Sequence, residues 1–214
     1  PAADRFWASQ DLFLYGNRAF AAYGTETPVT FESSADTPKP DAVHWTATLP
    51  LFAKSAANIY TIHDLIPLRL PHTTLDDKAV YGATLKAIAK RADHIAVVSE
   101  TTRQDVIRLM GVPEDRVTNT YQAVSIPSKY ADRPQREVEL ELEGVFNLGW
   151  KQYFLHFGAI EPKKNLGRIV EAYLSSGSTT PLVLIGGRAW LEEGEIALLN
   201  QVKRDGGHNA VRIR

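Results

Sequence analysis

Residues 153–185, YFLHFGAIEPKKNLGRIVEAYLSSGSTTPLVLI, decide the fold. An apolar run, YFLHF (153–157), stops at Gly158; Leu166, Ile169, Val170, Tyr173 and Leu174 then share one helical face, and PLVLI (181–185) opens a second apolar run. A short run, an amphipathic helix and another short run make a strand–helix–strand crossover over a parallel sheet. Neither run alternates apolar with polar residues, the pattern of strands covered on both faces.

The same alternation extends outward to about residue 40. Strands are predicted at AVHWTAT (42–48), ANIYTI (57–62), HIAVV (94–98), RVTNTY (116–121) and AVRI (210–213), and Tyr81, Leu85, Ile88 and Ala92 mark a helix between two of them. Nearer the N-terminus, RFWASQDLFLY (5–15) reads as an apolar helix and TETPVTFESSADTPKPD (25–41) as turn-rich, with one strand at 28–33. The stretch 126–150, IPSKYADRPQREVELELEGVFNLGW, has two prolines, clustered charge and poor periodicity, and reads as a linker. The expected organisation is α/β: a Rossmann-like domain over 1–125, a linker over 126–150, and the opening of a second Rossmann-like domain over 151–214.

Composition narrows the function. With 214 residues, 44% hydrophobic and 23% charged, the chain is globular rather than disordered, collagenous or coiled-coil. Lys plus Arg number 24 against 25 Asp plus Glu, a formal charge of -1, so there is no basic field to draw a nucleic acid. Cysteine is absent, which removes disulfides and thiolate metal sites and is compatible with a reducing compartment. No apolar stretch is long enough to span a bilayer, and Pro1–Gln10, with Asp4 and Arg5, lacks the apolar core of a signal peptide.

In open α/β sheets ligands bind beyond the carboxyl ends of the strands. There the sequence places His63-Asp64, Ser99-Glu100, Gly158 and Gly186-Gly187. The strongest local signal is GAIEPKKNLGRIVEAYL (158–174). Gly158 allows close backbone approach, Pro162 stiffens the loop, Asn165 is a candidate N-cap, and Lys163 and Lys164 sit beside a helix N-terminus, where unpaired N–H groups and the dipole favour an anion such as a diphosphate. A solvated lysine pair on a capped surface helix is the plainer alternative. Neither GxxxxGK[ST] nor GxGxxG is present.

YTIHDLIPLRLPHTT (60–74) carries the second signal. Its prolines, Pro67 and Pro71, are expected to hold the following segment extended. His63 fits a cleft histidine that hydrogen-bonds a sugar hydroxyl or stabilises developing charge, or one half of a metal-binding His-Asp pair. The other histidines (44, 72, 94, 156 and 208) lack HxxxH spacing, so no metal is expected. A capping Asp beside a satisfied histidine remains open. In HIAVVSETTRQDVIRLMGV (94–112), Ser99 with Thr101 or Thr102 can cap a helix that Gly111 stops. Arg103 puts the wrong charge in its first turn, which makes it a candidate acceptor or phosphate contact beside the alternative of a solvated arginine.

YTIHDLIPLRLP, HIAVVSETTRQDVIRLMGVPEDRV, YFLHFGAIEPKKNLGRIVEAYL and PLVLIGG, in this order, resemble the retaining glycosyltransferases of family 4, mannosyltransferase-like members in particular. The resemblance covers about 42–125 and 151–187 and implies a GT-B fold, two Rossmann-like domains with the nucleotide-sugar held mainly by the C-terminal one. It further implies that Gly158, Lys163 and Lys164 line the diphosphate site, with Lys164 the phosphate-contacting lysine and Gly186 and Gly187 near the nucleotide. His63 corresponds to the histidine that contacts the donor sugar near the reaction centre, and Asp64 orients the same loop.

The implied activity is hexosyl transfer (EC 2.4 type) with retention, mannose from GDP-mannose or the sugar of a UDP-sugar, to a saccharide or lipid-linked saccharide. The leaving phosphate would help to deprotonate the acceptor, and the nucleotide-sugar is a substrate, so no cofactor is expected. A cytoplasmic location with peripheral contact to the inner membrane face follows from such an acceptor, as does a role in polysaccharide or lipopolysaccharide biosynthesis. A non-catalytic nucleotide or sugar-phosphate sensor and a metal-dependent phosphohydrolase stand as alternatives.

The departures matter equally. Lys163 stands where many relatives have Arg, Ala159 where some have Arg, and Gln122-Ala123 where Asn-Gly is frequent. The family's two glutamates seven residues apart and its Gly-rich loop after the first strand are absent. An incomplete N-terminal domain followed by the start of a C-terminal domain is therefore expected, with little turnover by this segment alone.

Overall fold

The computed structural model describes residues 10–32, 38–187, 192–207 and 212–213. The chain divides into two compact units, 1–123 and 124–214.

The first unit runs α1 (Gln10–Tyr23), β1 (Thr27–Val29), β2 (Ala42–Trp45), β3 (Leu51–Ala53), β4 (Ala57–Ile62), α2 (Ile66–Arg69), α3 (Lys78–Arg91), β5 (His94–Val97), α4 (Glu100–Met110) and β6 (Val117–Asn119). A four-stranded sheet has the order β2-β4-β5-β6, and β1 pairs separately with β3. Every pairing is parallel. β4 and β5 are buried along most of their length, as apolar runs covered on both faces should be. Tyr60, Ile62, Leu85, Ile88, Ile95, Val97 and Val106 fill the core between sheet and helices.

Capping explains where α3 begins and where α4 begins and stops. Asp77 accepts the N–H groups of Ala79 and Val80 at the start of α3. Ser99 caps α4 through the Thr102 N–H, and Gly111 closes it in the left-handed region at φ 66°. Pro67 and Pro71 depart from expectation. They sit in the first turns of α2 and of a 3₁₀ turn at Pro71–Thr73, where a missing N–H costs nothing, so the segment is helical rather than extended.

The second unit contains α5 (Ser128–Ala131), α6 (Gln135–Phe146), β7 (Phe154–Phe157), α7 (Leu166–Ser175), β8 (Leu182–Ile185) and α8 (Glu192–Asp205). β7 and β8 pair in parallel, Phe157 opposite Ile185. Leu166, Val170, Tyr173, Leu182, Ile196, Leu199 and Val202 form its core. Two-sided coverage fails here: Leu155, Phe157 and Ile185 are 50%, 75% and 58% exposed. The segment expected as a linker holds two helices; α6 buries none of its residues. Of the strand expected at 210–213 only Arg212 and Ile213 are among the described residues, and Ile213 bridges in parallel to Leu182.

Candidate functional site

In the first unit, β4 delivers His63 and Asp64 to the carboxyl edge of the sheet. The exposed His63 ring places Nε2 2.9 Å from the Thr46 carbonyl oxygen. A carbonyl only accepts, so Nε2 carries the proton and Nδ1 presents its lone pair in the neutral ring. The main chain is fixed as well, since the Thr102 hydroxyl donates to the His63 carbonyl at 3.1 Å. That hydroxyl's proton being committed, Ser99 Oγ donates to Thr102 Oγ1 at 2.9 Å while accepting the Thr102 N–H at 3.1 Å. The cap of α4 and the candidate histidine thus share one hydrogen-bonded chain.

Asp64 points a different way. Its Oδ1 accepts the Ile66 N–H at 2.9 Å, which starts α2, and its carbonyl accepts the Tyr81 hydroxyl at 2.8 Å. Burial pushes the Tyr81 phenol up to about 12, opposed by a hydrogen bond from Thr48 and reinforced by the charges of Asp64 and Asp76. Tyr81 stays protonated and remains a donor. Among the described residues no three carboxylate or imidazole side chains lie close enough to hold a metal ion.

Arg103 is not a free cation. Its guanidinium pairs with Glu100 at 3.2 Å and Glu114 at 2.6 Å, and its Nε donates to the Val117 carbonyl. The hydrogen bond with Glu114, then that with Glu100, raises its pKa. The charge that looked misplaced in the first turn of α4 ties that helix to β6, a structural role for Arg103.

In the second unit, Gly158 and Gly186 end neighbouring strands, and pairing continues past both through Gly158 N–H to the Ile185 carbonyl (2.9 Å) and Ile160 N–H to the Gly187 carbonyl (3.0 Å). Gly158 has φ 138°, and a Cβ on Gly186 would fall 1.8 Å from the Gly158 oxygen, so both positions require glycine. Around Gly187 the space is open. A 3₁₀ turn, Pro162–Lys164, carries both lysines. Lys163 Nζ lies 3.4 Å from Glu161 Oε1. Lys164 folds back, its Cε 4.0 Å from the position of a Gly158 Cβ, and has no ion-pair partner among the described residues.

Asn165 differs from expectation. It adopts the left-handed conformation (φ 56°, ψ 38°) as the stop of the 3₁₀ turn and makes no side-chain cap. The Gly167 N–H in the first turn of α7 donates instead to Glu195 Oε2 of α8 at 2.9 Å. A protein carboxylate thus occupies part of the dipole's positive end, so that an anion at this edge would have Lys164 and the glycine turn, not the Gly167 N–H, to meet it. Glu195 lies 28 residues from its partner, and no local pattern announces it.

Residues 13–126 match the model of Glycosyltransferase Family 4, more than half of the chain. The chain belongs to that family. The O-antigen chain mannosyltransferase B of Escherichia coli is 30% identical over 153 residues, 69% of this chain and 39% of that protein. The serotype-specific mannosyltransferase WbdA of Escherichia coli is 28% identical over 131 residues, 60% of this chain and 16% of that one. The chain therefore spans well under half the length of these relatives. The crystal structure of Anabaena Alr3699/HepE in complex with UDP shares the fold at a TM-score of 0.52 and 14% identity, covering 79% of this chain and 47% of that one. The α/β class with parallel sheets and flanking helices is thus that of a GT-B glycosyltransferase.

Proposed function

We propose that the chain forms part of a retaining hexosyltransferase that moves a sugar, mannose in the first instance, from a nucleoside diphosphate to a saccharide or lipid-linked saccharide. The observation that carries the donor side is the Gly158–Gly186 contact with Lys164 beside it, which has no ion-pair partner among the described residues. Transfer breaks the bond from the anomeric carbon to the diphosphate oxygen, with the electron pair leaving on phosphate. The acceptor hydroxyl oxygen forms the new bond, and its proton passes to the departing phosphate. A lysine at that phosphate stabilises the leaving charge. In this reading Gly186 and Gly187 admit the nucleotide, Lys163 adds background charge, and His63 accepts a hydrogen bond from a sugar hydroxyl at Nδ1 while Asp64 holds its loop.

The relatives' roles support mannose and O-antigen-type polysaccharide synthesis, which would take place at the cytoplasmic membrane face. No described helix is long and apolar enough to cross a membrane. Calorimetric titration with GDP and UDP tests the donor side. Lys164→Ala should weaken diphosphate binding roughly tenfold or more, the worth of one charge-assisted hydrogen bond, and Lys163→Ala less than about threefold. Unchanged affinity in Lys164→Ala would remove the assignment.

A further inference from the structure

Tyr121 stands at the carboxyl edge of the first unit's sheet in a conformation that its residue type resists. Its φ is 53°, in the left-handed region, where glycine and asparagine are at ease and a bulky ring-bearing residue is strained. The turn is held there from several sides. Asn119 Oδ1 accepts the Tyr121 N–H at 3.0 Å while the Asn119 side chain also hydrogen-bonds Glu100, and the Thr120 N–H donates to the Val97 carbonyl at 2.9 Å. Strain of this kind persists where the surroundings over-determine it, and it gathers at ligand clamps. The fold makes no use of the ring: Tyr121 is 68% exposed, with no side-chain hydrogen bond or ring contact among the described residues.

The same edge carries His63. Ile62 pairs with Val97, and Val97 with Asn119, so His63 and Tyr121 leave the sheet from β4 and β6 with only β5 between them. Two strand spacings put these chains about 10 Å apart, a span that one pyranose ring bridges. The floor between them has spent its hydroxyls, since Ser99 donates to Thr102 and Thr102 to the His63 carbonyl. That leaves His63 Nδ1 as an acceptor at one end and the Tyr121 ring as a flat apolar face at the other.

We propose that Tyr121 is a sugar-stacking residue, its ring taking the C–H face of the pyranose whose hydroxyl hydrogen-bonds His63 Nδ1. The inference rests on the glycosyl-transfer reading above. A pyranose carries hydroxyls around its rim and gathers axial C–H groups on a face, and the negative π face of an aromatic ring attracts those weakly positive groups. One polar and one aromatic contact together fix the sugar's position and tilt, where either alone would let it turn. Asparagine or glycine at 121 would relieve the strain and lose the ring. A nucleobase could stack on the same face but has no rim of hydroxyls to offer His63.

The test is saturation-transfer NMR on the 214-residue chain, irradiating the protein's aromatic ring protons in the presence of GDP, GDP-mannose or methyl α-mannoside. Mannose ring protons should gain saturation in the parent and in Tyr121→Phe, and lose most of it in Tyr121→Asn. Transfer to GDP-mannose alone assigns the stacked ring to the donor sugar; transfer to methyl α-mannoside as well assigns it to a saccharide bound in its own right. Tyr121→Asn should weaken binding of the sugar that receives saturation about fivefold or more and leave GDP affinity unchanged. The variant should melt within about 4 °C of the parent, because the left-handed region suits asparagine and the exposed ring packs little. A larger fall, which makes the ring structural, undiminished mannose saturation in Tyr121→Asn, or transfer to the guanine protons instead would overturn the proposal. Should GDP still bind through Lys164 in that case, the glycosyl-transfer reading stands; absence of binding by GDP and both sugars removes that reading and the stacking role together.

Discussion

Replacing Gly186 with alanine tests how tightly the two strand ends close in the second unit. The added Cβ would fall 1.8 Å from the Gly158 oxygen and 2.9 Å from its carbonyl carbon, both main-chain atoms. It must retreat by more than an ångström to reach the 3.0 Å that real Cβ contacts respect. No rotamer relieves a backbone clash, so β7 and β8 must part where Gly158 N–H meets the Ile185 carbonyl and Ile160 N–H meets the Gly187 carbonyl. Two hydrogen bonds at about 1 kcal/mol each, together with overpacking at about 1–3 kcal/mol, predict a loss of about 3–5 kcal/mol.

Gly187→Ala is the matched control, because no atom lies within 4 Å of its Cβ position, and it should stay within about 0.5 kcal/mol of the parent. Differential scanning calorimetry should resolve the two. In a unit of roughly 90 residues the loss lowers the melting temperature by more than about 10 °C. Equal melting temperatures for Gly186→Ala and Gly187→Ala would refute the reasoning.

Two further outcomes follow from buried polar groups. Asn58, 6% exposed, donates to the Ala53 and Ala56 carbonyls and accepts from Trp45 Nε1 and the Ala53 N–H. Asn58→Asp removes both donors and adds a charge near Asp93, so urea unfolding followed by tryptophan fluorescence should show a loss of about 3–5 kcal/mol; a loss under about 1 kcal/mol would contradict this. Burial raises the Tyr60 and Tyr81 phenols above their ordinary value of 10, Tyr81 to about 12. Their folded pKa values exceed the unfolded ones, so the stability they contribute is complete below pH 10 and drains away as pH climbs. For Tyr81 the drain runs from about 10 to 12, and Tyr81→Phe should flatten that part of the stability-versus-pH curve; an unaltered slope would count against the burial argument.

The repeating architecture was legible because its strands are strong local signals: ANIYTI occupies β4 residue for residue, and His63, Gly158 and Gly186 fall at strand ends as periodicity places them. What stayed hidden was set by tertiary contacts or by conflicting periods. In α6, VELEL alternates with the period of a strand, yet arginine–glutamate pairs from Arg133 to Glu137 and Glu141, and from Arg136 to Glu139, support a helix. β3 is only three residues long, marked by Leu51 and Ala53 packing inward, too short for a pattern. Asn165 looked like a cap because its residue type suits one, but the preceding 3₁₀ turn needed a left-handed stop. Arg103 and Glu195 found partners that local spacing could not name.

The order β2-β4-β5-β6 also bears on how the first unit assembles. Each later strand joins an edge left open by the one before it: Ala42 meets Ala57, Ile59 meets His94, and Ile95 meets Val117. Closing such loops costs entropy that grows only slowly with their length, but no short hairpin offers an early nucleus. A chain emerging from the ribosome N-terminus first meets its partners in sequence, without having to displace a wrongly seated strand, so this sheet can be complete while the residues of β7 are still being synthesised.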